Sequence, residues 1–217
     1  GEYPSPFLKE IDMGHSDIKS IMITADANAA DDDSVLEAAR PNTTATLDGA
    51  DTSGGVATFT GAQLINVTTT GTGDNGKTVT LTGTDVNGDT QTEVITLTGS
   101  ATGHSSTKFF RTVTAAELSA QPAANIKIGH LATTVKDVIF AGRARIKGVL
   151  IVNSATAGTM DFLAGSVTGS SLLKLRSIAD DETSRDITIP EHGIVFEGGA
   201  FLSYTSATFA FMTVFYA

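Results

Sequence analysis

The chain has 217 residues, a formal net charge of −10 and no cysteine. The negative charge repels phosphate backbones, so nucleic-acid binding through a basic face is disfavoured. Without cysteine the chain forms neither disulfides nor thiolate metal sites, and its stability has to come from packing and assembly. No apolar run approaches the roughly 18 residues of a membrane-spanning helix, so we expect no membrane segment.

The residue composition favours strands over long helices. Hydrophobic residues make up 41% of the chain but aromatic residues only 6%, so the core has to be mainly aliphatic. Many of the 33 threonines lie between residues 42 and 98, and β-branched residues at that density favour strands with one solvated face. We therefore predict an all-β fold with two small antiparallel β-sandwich domains, Ig-like or jelly-roll-like, and an extended N-terminal arm.

Residues 1–41 are predicted to form this arm, with one strand at residues 17–24 where apolar positions nearly alternate. Pro4 and Pro6 hold the beginning of the arm extended. The acidic run at residues 31–34 favours the N-cap of a short helix at residues 35–40. The acidic run itself is interpreted as a solvated loop, and a cation site is the alternative.

Residues 42–134 are predicted to form the first sandwich, because short alternating segments are separated by Gly, Asn and Asp. Asn87-Gly88 lies between two such segments and favours a tight hairpin. Asp85, Asn87 and Asp89 also match the start of a calcium loop, but the bidentate glutamate is missing at the required spacing, so the turn is favoured. The predicted strands are 56–60, 63–69, 77–84, 90–98, 106–113 and 125–129.

Residues 135–217 are predicted to form the second sandwich. The last segment, 208–216, is apolar on both faces, so we expect a central strand or one buried against another subunit. We also expect the carboxyl terminus to be held within the fold. The predicted strands are 145–152, 159–163, 171–176, 185–189, 193–196, 201–205 and 208–216.

The sequence contains no pattern typical of an active site or a metal site. The four histidines share no metal-ligand spacing, and His192 lies where a turn is expected. Gly165-Ser166-Val167 matches only the beginning of a nucleophile elbow, and the glycine clusters precede no helix that could bind phosphate. We therefore predict a protein that is not an enzyme and has no cofactor, no metal and no small-molecule substrate.

Basic residues gather around residue 145 in an otherwise acidic chain. Alternation would place Arg143, Arg145 and Lys147 along one face of a strand, either as a solvated face or as an ionic contact for an acidic partner. Together with apolar residues of the arm and of the last strand, they are the predicted partner contacts. The full set is Tyr3, Pro4, Pro6, Phe7, Arg143, Arg145, Lys147, Phe211, Phe215 and Tyr216.

Two groups of segments resemble virion proteins of tailed bacteriophages. Residues 78–88, 92–97 and 107–113 resemble a repeat-like β-domain common in these proteins. The carboxyl-terminal group is similar to the last domain of small phage structural proteins. Its segments are residues 146–149, 157–159, 189–197 and 213–216.

The resemblance implies a non-catalytic part of the particle, and it carries over no functional residue. The favoured role is a capsid decoration or cement protein on the virion surface, which binds the major capsid protein and copies of itself as a homotrimer. A neck, tail or fibre-associated component is the alternative. A third hypothesis, an adhesin or glycan-binding module, is motivated by the threonine-rich sandwiches and weakened by the lack of tryptophan.

Overall fold

The computed structural model describes residues 18–26, 30–70, 72–98, 103–181 and 183–217. Within these residues the protein is all-β, with one 3₁₀ turn at Thr72–Asp74 and no α-helix. No helix in the described part of the chain has the length and apolarity to span a membrane. The strands are β1 (Lys19–Thr24), β2 (Asp31–Ala39), β3 (Thr52–Ser53), β4 (Val56–Thr69), β5 (Thr78–Thr84), β6 (Thr90–Thr96), β7 (Gly103–Leu118), β8 (Ile126–Phe140), β9 (Ala144–Asn153), β10 (Thr159–Ala164), β11 (Ser170–Arg176), β12 (Ser184–Thr188), β13 (Ile194–Phe196), β14 (Ala200–Tyr204) and β15 (Phe209–Tyr216).

The strands form two antiparallel sheets, which we call the small sheet and the large sheet. The small sheet has the order β1-β15-β9-β12, and β13 also pairs with β9. The large sheet has the order β11-β10-β14-β8-β4-β7-β5-β6, with β2 on β8 and β3 on β4. The chain therefore folds by packing antiparallel sheets, which confirms the predicted all-β class and is consistent with a β-sandwich.

Two hydrophobic clusters lie on either side of the middle of β8. The first is enclosed by strands of the large sheet and includes Val35, Ile65 and Phe110, all without exposed surface. The second lies between the two sheets, where Val149 from β9 and Phe162 from β10 are equally buried. Since β8 contributes to both clusters, one continuous strand joins them.

The predicted division at residues 134 and 135 falls inside β8, and it remains a prediction. The first half of β8 supplies Ile126 and Ile128 to the first cluster, and the second half supplies Val135 and Ile139 to the second. The pairing of β8 with β4 continues across this point, with a register shift between Ala62 and Leu64 of β4. The two cores therefore share one sheet.

The predicted hairpin is confirmed at β5 and β6. Gly88 has a φ of 89°, which glycine adopts without steric cost. Oδ1 of Asp85 accepts hydrogen bonds from the backbone N–H of Asn87 at 2.8 Å and of Asp89 at 3.0 Å. This carboxylate oxygen closes the turn, which accounts for the acidic spacing that resembled a calcium loop.

The last strand is central, as predicted. β15 lies between β1 and β9 in the small sheet. Beyond it, Ala217 exchanges two backbone hydrogen bonds with Arg145, at 2.8 and 2.9 Å. This end of the described chain is therefore held within the fold, as the sequence indicated.

The predicted helix at residues 35–40 is wrong, because these residues belong mainly to β2. Val35 and Leu36 enter the first cluster, and Leu36 pairs with Ile128 of β8. Tertiary pairing thus overrides the local capping signal. β1 and β2, which lie in the part of the chain that the sequence assigned to the arm, are strands of the two sheets.

The two strands predicted at 56–60 and 63–69 are one strand, β4, with a change in register. The shift lies between Thr58 and Gln63 where β4 pairs with β7. A Cβ on Gly61 would lie 2.2 Å from Cγ1 of Val135, so only glycine fits this contact between β4 and β8. The sequence signal of a break at Gly61 therefore marks an irregularity rather than a turn.

Candidate partner-binding surface

The outer face of the small sheet carries exposed apolar side chains. On β15, Met212 and Val214 point into the second cluster, so the alternating residues Phe211 and Phe215 lie on the opposite, outer face. Phe211 is 37% exposed, and Phe215 is half-buried beside Gly148 of β9. The sequence thus assigned both phenylalanines to a partner surface, and the structure brings them onto one face.

Neighbouring strands extend this face. Met22 of β1 is 66% exposed and pairs with Thr213, between the two phenylalanines. Leu150 and Val152 of β9 lie on the other side and are half-buried. We call these five side chains the apolar patch, and its members are Met22, Leu150, Val152, Phe211 and Phe215.

The three predicted basic residues do not form one row. Arg143 precedes β9, and its Nε lies 2.8 Å from Oε2 of Glu197 in an exposed ion pair. Arg145 is on β9 and donates from Nη1 to the carbonyl oxygen of His192 at 3.3 Å. Lys147, also on β9, is half-buried beside the turn that contains Gly193. The strand begins after Arg143, and this is why simple alternation fails.

Tyr216 lies away from the apolar patch because the register shifts between Phe215 and Tyr216. Its ring centroid lies 5.6 Å from that of Phe140. Lys19, Arg143 and Ala217 join these rings around a cleft of about 300 Å³. Arg143 and Tyr216 therefore meet in a cleft at the end of β15, which a partner side chain could enter.

The structure adds three residues to this surface that the sequence analysis did not single out, Lys19, Met22 and Phe140. Met22 alternates with the buried residues of β1, and that pattern could have identified it. The four predicted contacts in the arm, Tyr3, Pro4, Pro6 and Phe7, lie outside the described residues.

The acidic run at residues 31–33 is part of β2 rather than a loop. Its three carboxylates lie within 4.8 Å of one another. Nζ of Lys127 lies 3.3 Å from Oδ1 of Asp32 and 3.0 Å from Oδ2 of Asp33. Hydrogen bonding to Lys127 lowers the pKa of Asp33, so a lysine of β8 is the counter-charge of this run.

Asp51 contacts both a serine and a histidine beside the first cluster, Ser34 through a backbone hydrogen bond and His130 through its side chain, although nothing in their sequence spacing indicated it. His130 is buried against Phe59, and its Nε2 lies 3.4 Å from Oδ2 of Asp51. The hydroxyl of Ser34 and Nδ1 of His130 are both buried without a hydrogen-bond partner among the described residues. The histidine therefore does not accept the serine proton in this arrangement.

Two buried serines, Ser34 and Ser106, give a matched test of whether the Ser34 hydroxyl contributes to stability. Ser34→Ala removes a hydroxyl without a partner, so we expect a change within about 0.5 kcal/mol. Ser106→Ala should cost about 2 kcal/mol, because Oγ of Ser106 accepts from the Ile65 N–H at 2.8 Å and donates to the Lys108 carbonyl at 2.9 Å. Urea denaturation of both variants measures the difference, and equal losses would contradict the assignment.

A second cleft, of about 280 Å³, lies between the β5–β6 turn and the β10–β11 turn. Phe109 and Phe201 contribute its aromatic walls, and Asn87 and Thr168 belong to the two turns. Nζ of Lys136 lies 5.1 Å from the centroid of Phe109, and burial lowers the pKa of this lysine. The cleft shows that turns associated with the two cores face each other.

Comparisons of the chain with protein-family models, with curated proteins and with solved structures found no match. What the surface binds is therefore inferred from its residues and its geometry.

Proposed function

We propose that this chain is a structural protein of a tailed-bacteriophage particle, and specifically a capsid decoration or cement protein. It would bind the assembled shell of major capsid protein from the outside and stabilise it. The role is non-enzymatic and uses no cofactor, metal, membrane or nucleic acid. Support comes first from the resemblance of short segments within residues 78–113 and 146–216 to phage virion proteins.

The observation that carries the proposal is the apolar patch on the small sheet. Exposed apolar side chains that lie side by side on one sheet face are typical of protein–protein contact sites. Phe211 and Met22 are the most exposed members of the patch, at 37% and 66%. A contact on a sheet face suits a protein that covers another protein surface.

Charge supports the same assignment. Lys19 and Arg143, the latter paired with Glu197, lie at the end of the small sheet that carries the patch, in a chain whose net charge is −10. Basic groups at the rim of an apolar contact orient an acidic partner surface and raise the association rate. Such a rim would direct the small sheet, rather than the acidic remainder of the molecule, towards the shell.

The finer architecture belongs to the same proposal. We assign the two hydrophobic clusters to two Ig-like or jelly-roll-like sandwich domains, and the whole molecule to a homotrimer on the capsid surface. Two hydrophobic cores joined through β8 would let one molecule present two parts to neighbouring capsid subunits. A trimer suits the local threefold symmetry of such a shell.

Binding of purified protein to shells that lack it tests the contact surface. Phe211→Ser should weaken this binding by about tenfold or more, because an aromatic side chain at the centre of a contact dominates its affinity. Leu172→Ser is the matched control, since Leu172 is 44% exposed on β11 of the large sheet. Equal effects of the two substitutions would contradict the assignment of the patch.

The neck, tail or fibre alternative differs in copy number and position. A cement protein coats the whole shell, whereas a neck or tail component forms a ring or occupies one vertex. Labelling the chain in intact particles and imaging them distinguishes an even coat from a single labelled point. A glycan array showing tight and specific binding would instead favour the adhesin hypothesis.

A further inference from the structure

β1 has one edge that is hydrogen-bonded and one that is open. The N–H of Ala25 donates to the carbonyl of Ala210 at 3.3 Å, opposite β15. Backbone groups of alternate residues point to the same side of a strand, so those of Ile21 and Ile23 also face β15. The backbone groups of Ser20, Met22 and Thr24 therefore face away from β15, and no strand in the described ranges pairs with them.

This open edge borders a groove rather than flat solvent. Residues 21–24 form one wall of a groove of about 260 Å³, and Thr60, Arg111, Asp137 and Val138 complete it. An open edge beside apolar side chains is a template for pairing with another strand. The edge therefore has space for an extended segment.

The sequence of residues 3–7 is suited to pairing along one edge alone. In an extended segment, alternate residues direct their backbone N–H and C=O groups to the same side. On the side of Tyr3, Ser5 and Phe7, every residue has both a donor and an acceptor. Pro4 and Pro6 direct theirs to the other side and have no N–H to donate. A strand of this kind can pair with the edge of a sheet and become its last strand, because its outer edge lacks the N–H donors that a further strand would need.

We propose that residues 3–7 of one copy of this chain pair with the open edge of β1 in a second copy. Each chain has one such edge and one such segment, so reciprocal exchange links copies into a closed dimer or ring. Residues 8–17 can span at most about 33–36 Å between the two chains. The inference rests on the proposed function in one respect, since a protein that bridges neighbours needs such a link.

Charge favours the amino-terminal segment as the strand that occupies the open edge of β1. Residues 1–17 contain four acidic residues and one lysine. Arg111 lines the groove with its side chain 36% exposed and 3.5 Å from Asp137, and the exposed Lys19 begins β1 as a second basic group. An acidic segment is thus attracted to this edge of an otherwise acidic molecule.

Disulfide trapping tests the pairing directly, because the chain contains no cysteine of its own. One preparation carries Ser5→Cys and another carries Met22→Cys, and the two are mixed under oxidising conditions. We expect a covalent dimer on non-reducing gels. The control mixture replaces Met22→Cys with Ser53→Cys, an exposed position on β3, and should give no dimer.

A chain carrying both Ser5→Cys and Met22→Cys distinguishes exchange from a return of the segment onto its own β1. A cross-linked monomer from this chain, with no dimer from the mixture, would overturn the proposal. Because the register of the pairing is not fixed in advance, the same experiments are repeated with Ser20→Cys and with Thr24→Cys in place of Met22→Cys. The absence of both the dimer and the cross-linked monomer at all three positions would also overturn the proposal.

Proline substitutions provide an independent test with the full chain. Ser5→Pro removes a donor from the side proposed to pair, so the variant should be monomeric by light scattering where the unaltered chain is oligomeric. Pro4→Ala changes the opposite side and should leave the association intact. A monomeric unaltered chain would overturn this proposal even if it bound shells, whereas an oligomer that fails to bind shells would contradict the proposed function alone.

Discussion

Replacing Asp74 with alanine should lower the free energy of unfolding by about 3–5 kcal/mol. Its side chain has no exposed surface and accepts three hydrogen bonds. Oδ2 accepts from Oγ1 of Thr69 at 2.6 Å, and Oδ1 accepts from the N–H of Ala123 at 2.6 Å and from Nζ of Lys77 at 2.9 Å. The substitution removes the shared acceptor of these three hydrogen bonds where the 3₁₀ turn meets the segment before β8. Urea denaturation measures the loss.

Asp85→Ala is the matched control for Asp74→Ala. Asp85 also accepts two backbone hydrogen bonds, but it lies in an exposed turn, so its loss should cost about 1 kcal/mol. Burial raises the pKa of Asp74, but the hydrogen bonds from Thr69, Ala123 and Lys77 outweigh it and lower the pKa below its ordinary value. The stabilisation is therefore present above the ordinary pKa and is lost as the pH falls through the folded-state pKa. Equal losses in the two variants would show that the Asp74 contacts are not formed.

Asp137→Asn should stabilise the protein at neutral pH and flatten its pH dependence. Burial raises the pKa of Asp137 from 3.8 to about 6, although Arg111 lies 3.5 Å away and opposes the shift. The folded state therefore binds the proton more tightly than the unfolded state, so stability is highest below the ordinary pKa and falls as the pH rises to about 6. The change amounts to roughly 3 kcal/mol, because one pKa unit corresponds to about 1.4 kcal/mol. Denaturation across this pH range measures it.

The position of Asp137 explains the direction of this effect. It lies near Tyr204, whose buried hydroxyl accepts a hydrogen bond from the N–H of Asp26 at 3.2 Å. Asp26 in turn accepts a hydrogen bond from Nε2 of Gln63. Burial, and then the charge of Asp137, raise the pKa of Tyr204. A second carboxylate close to Asp26 is therefore costly when it is ionised.

Arg111→Gln is the control for Asp137→Asn. Removing the guanidinium should raise the pKa of Asp137 further and steepen the fall of stability with pH, the opposite of the effect of Asp137→Asn. A carboxyl-carbon NMR titration reads the pKa of Asp137 itself in the unaltered protein. An ordinary pKa in that titration would refute the assignment.

The strands that the sequence predicted well are those whose pattern is local. Alternation and the Asn87-Gly88 turn defined β5 and β6 to within two residues, and the apolar run at the end of the chain defined β15. β2 was missed because its acidic beginning resembles a helix cap, while its place in the fold depends on pairing with β8, far along the chain. Such pairing leaves no local signal.

The candidate surface was predicted in part for the same reason. Alternation on β15 identified Phe211 and Phe215, which need no knowledge of their neighbours. Met22 and Phe140 join the surface because β1 pairs with β15 and because the register shift turns Tyr216 towards Phe140. The contacts of Asp51 with Ser34 and His130 likewise depend on how β2 and β8 meet, which spacing along the chain does not encode.

The central claim is that this chain coats a phage shell through the small sheet. Quantitative densitometry of the proteins in purified particles of the encoding phage tests it most directly. We expect the chain to be present in a copy number comparable to that of the major capsid protein. A chain absent from the particle, or present at the level of a single ring, would contradict the claim.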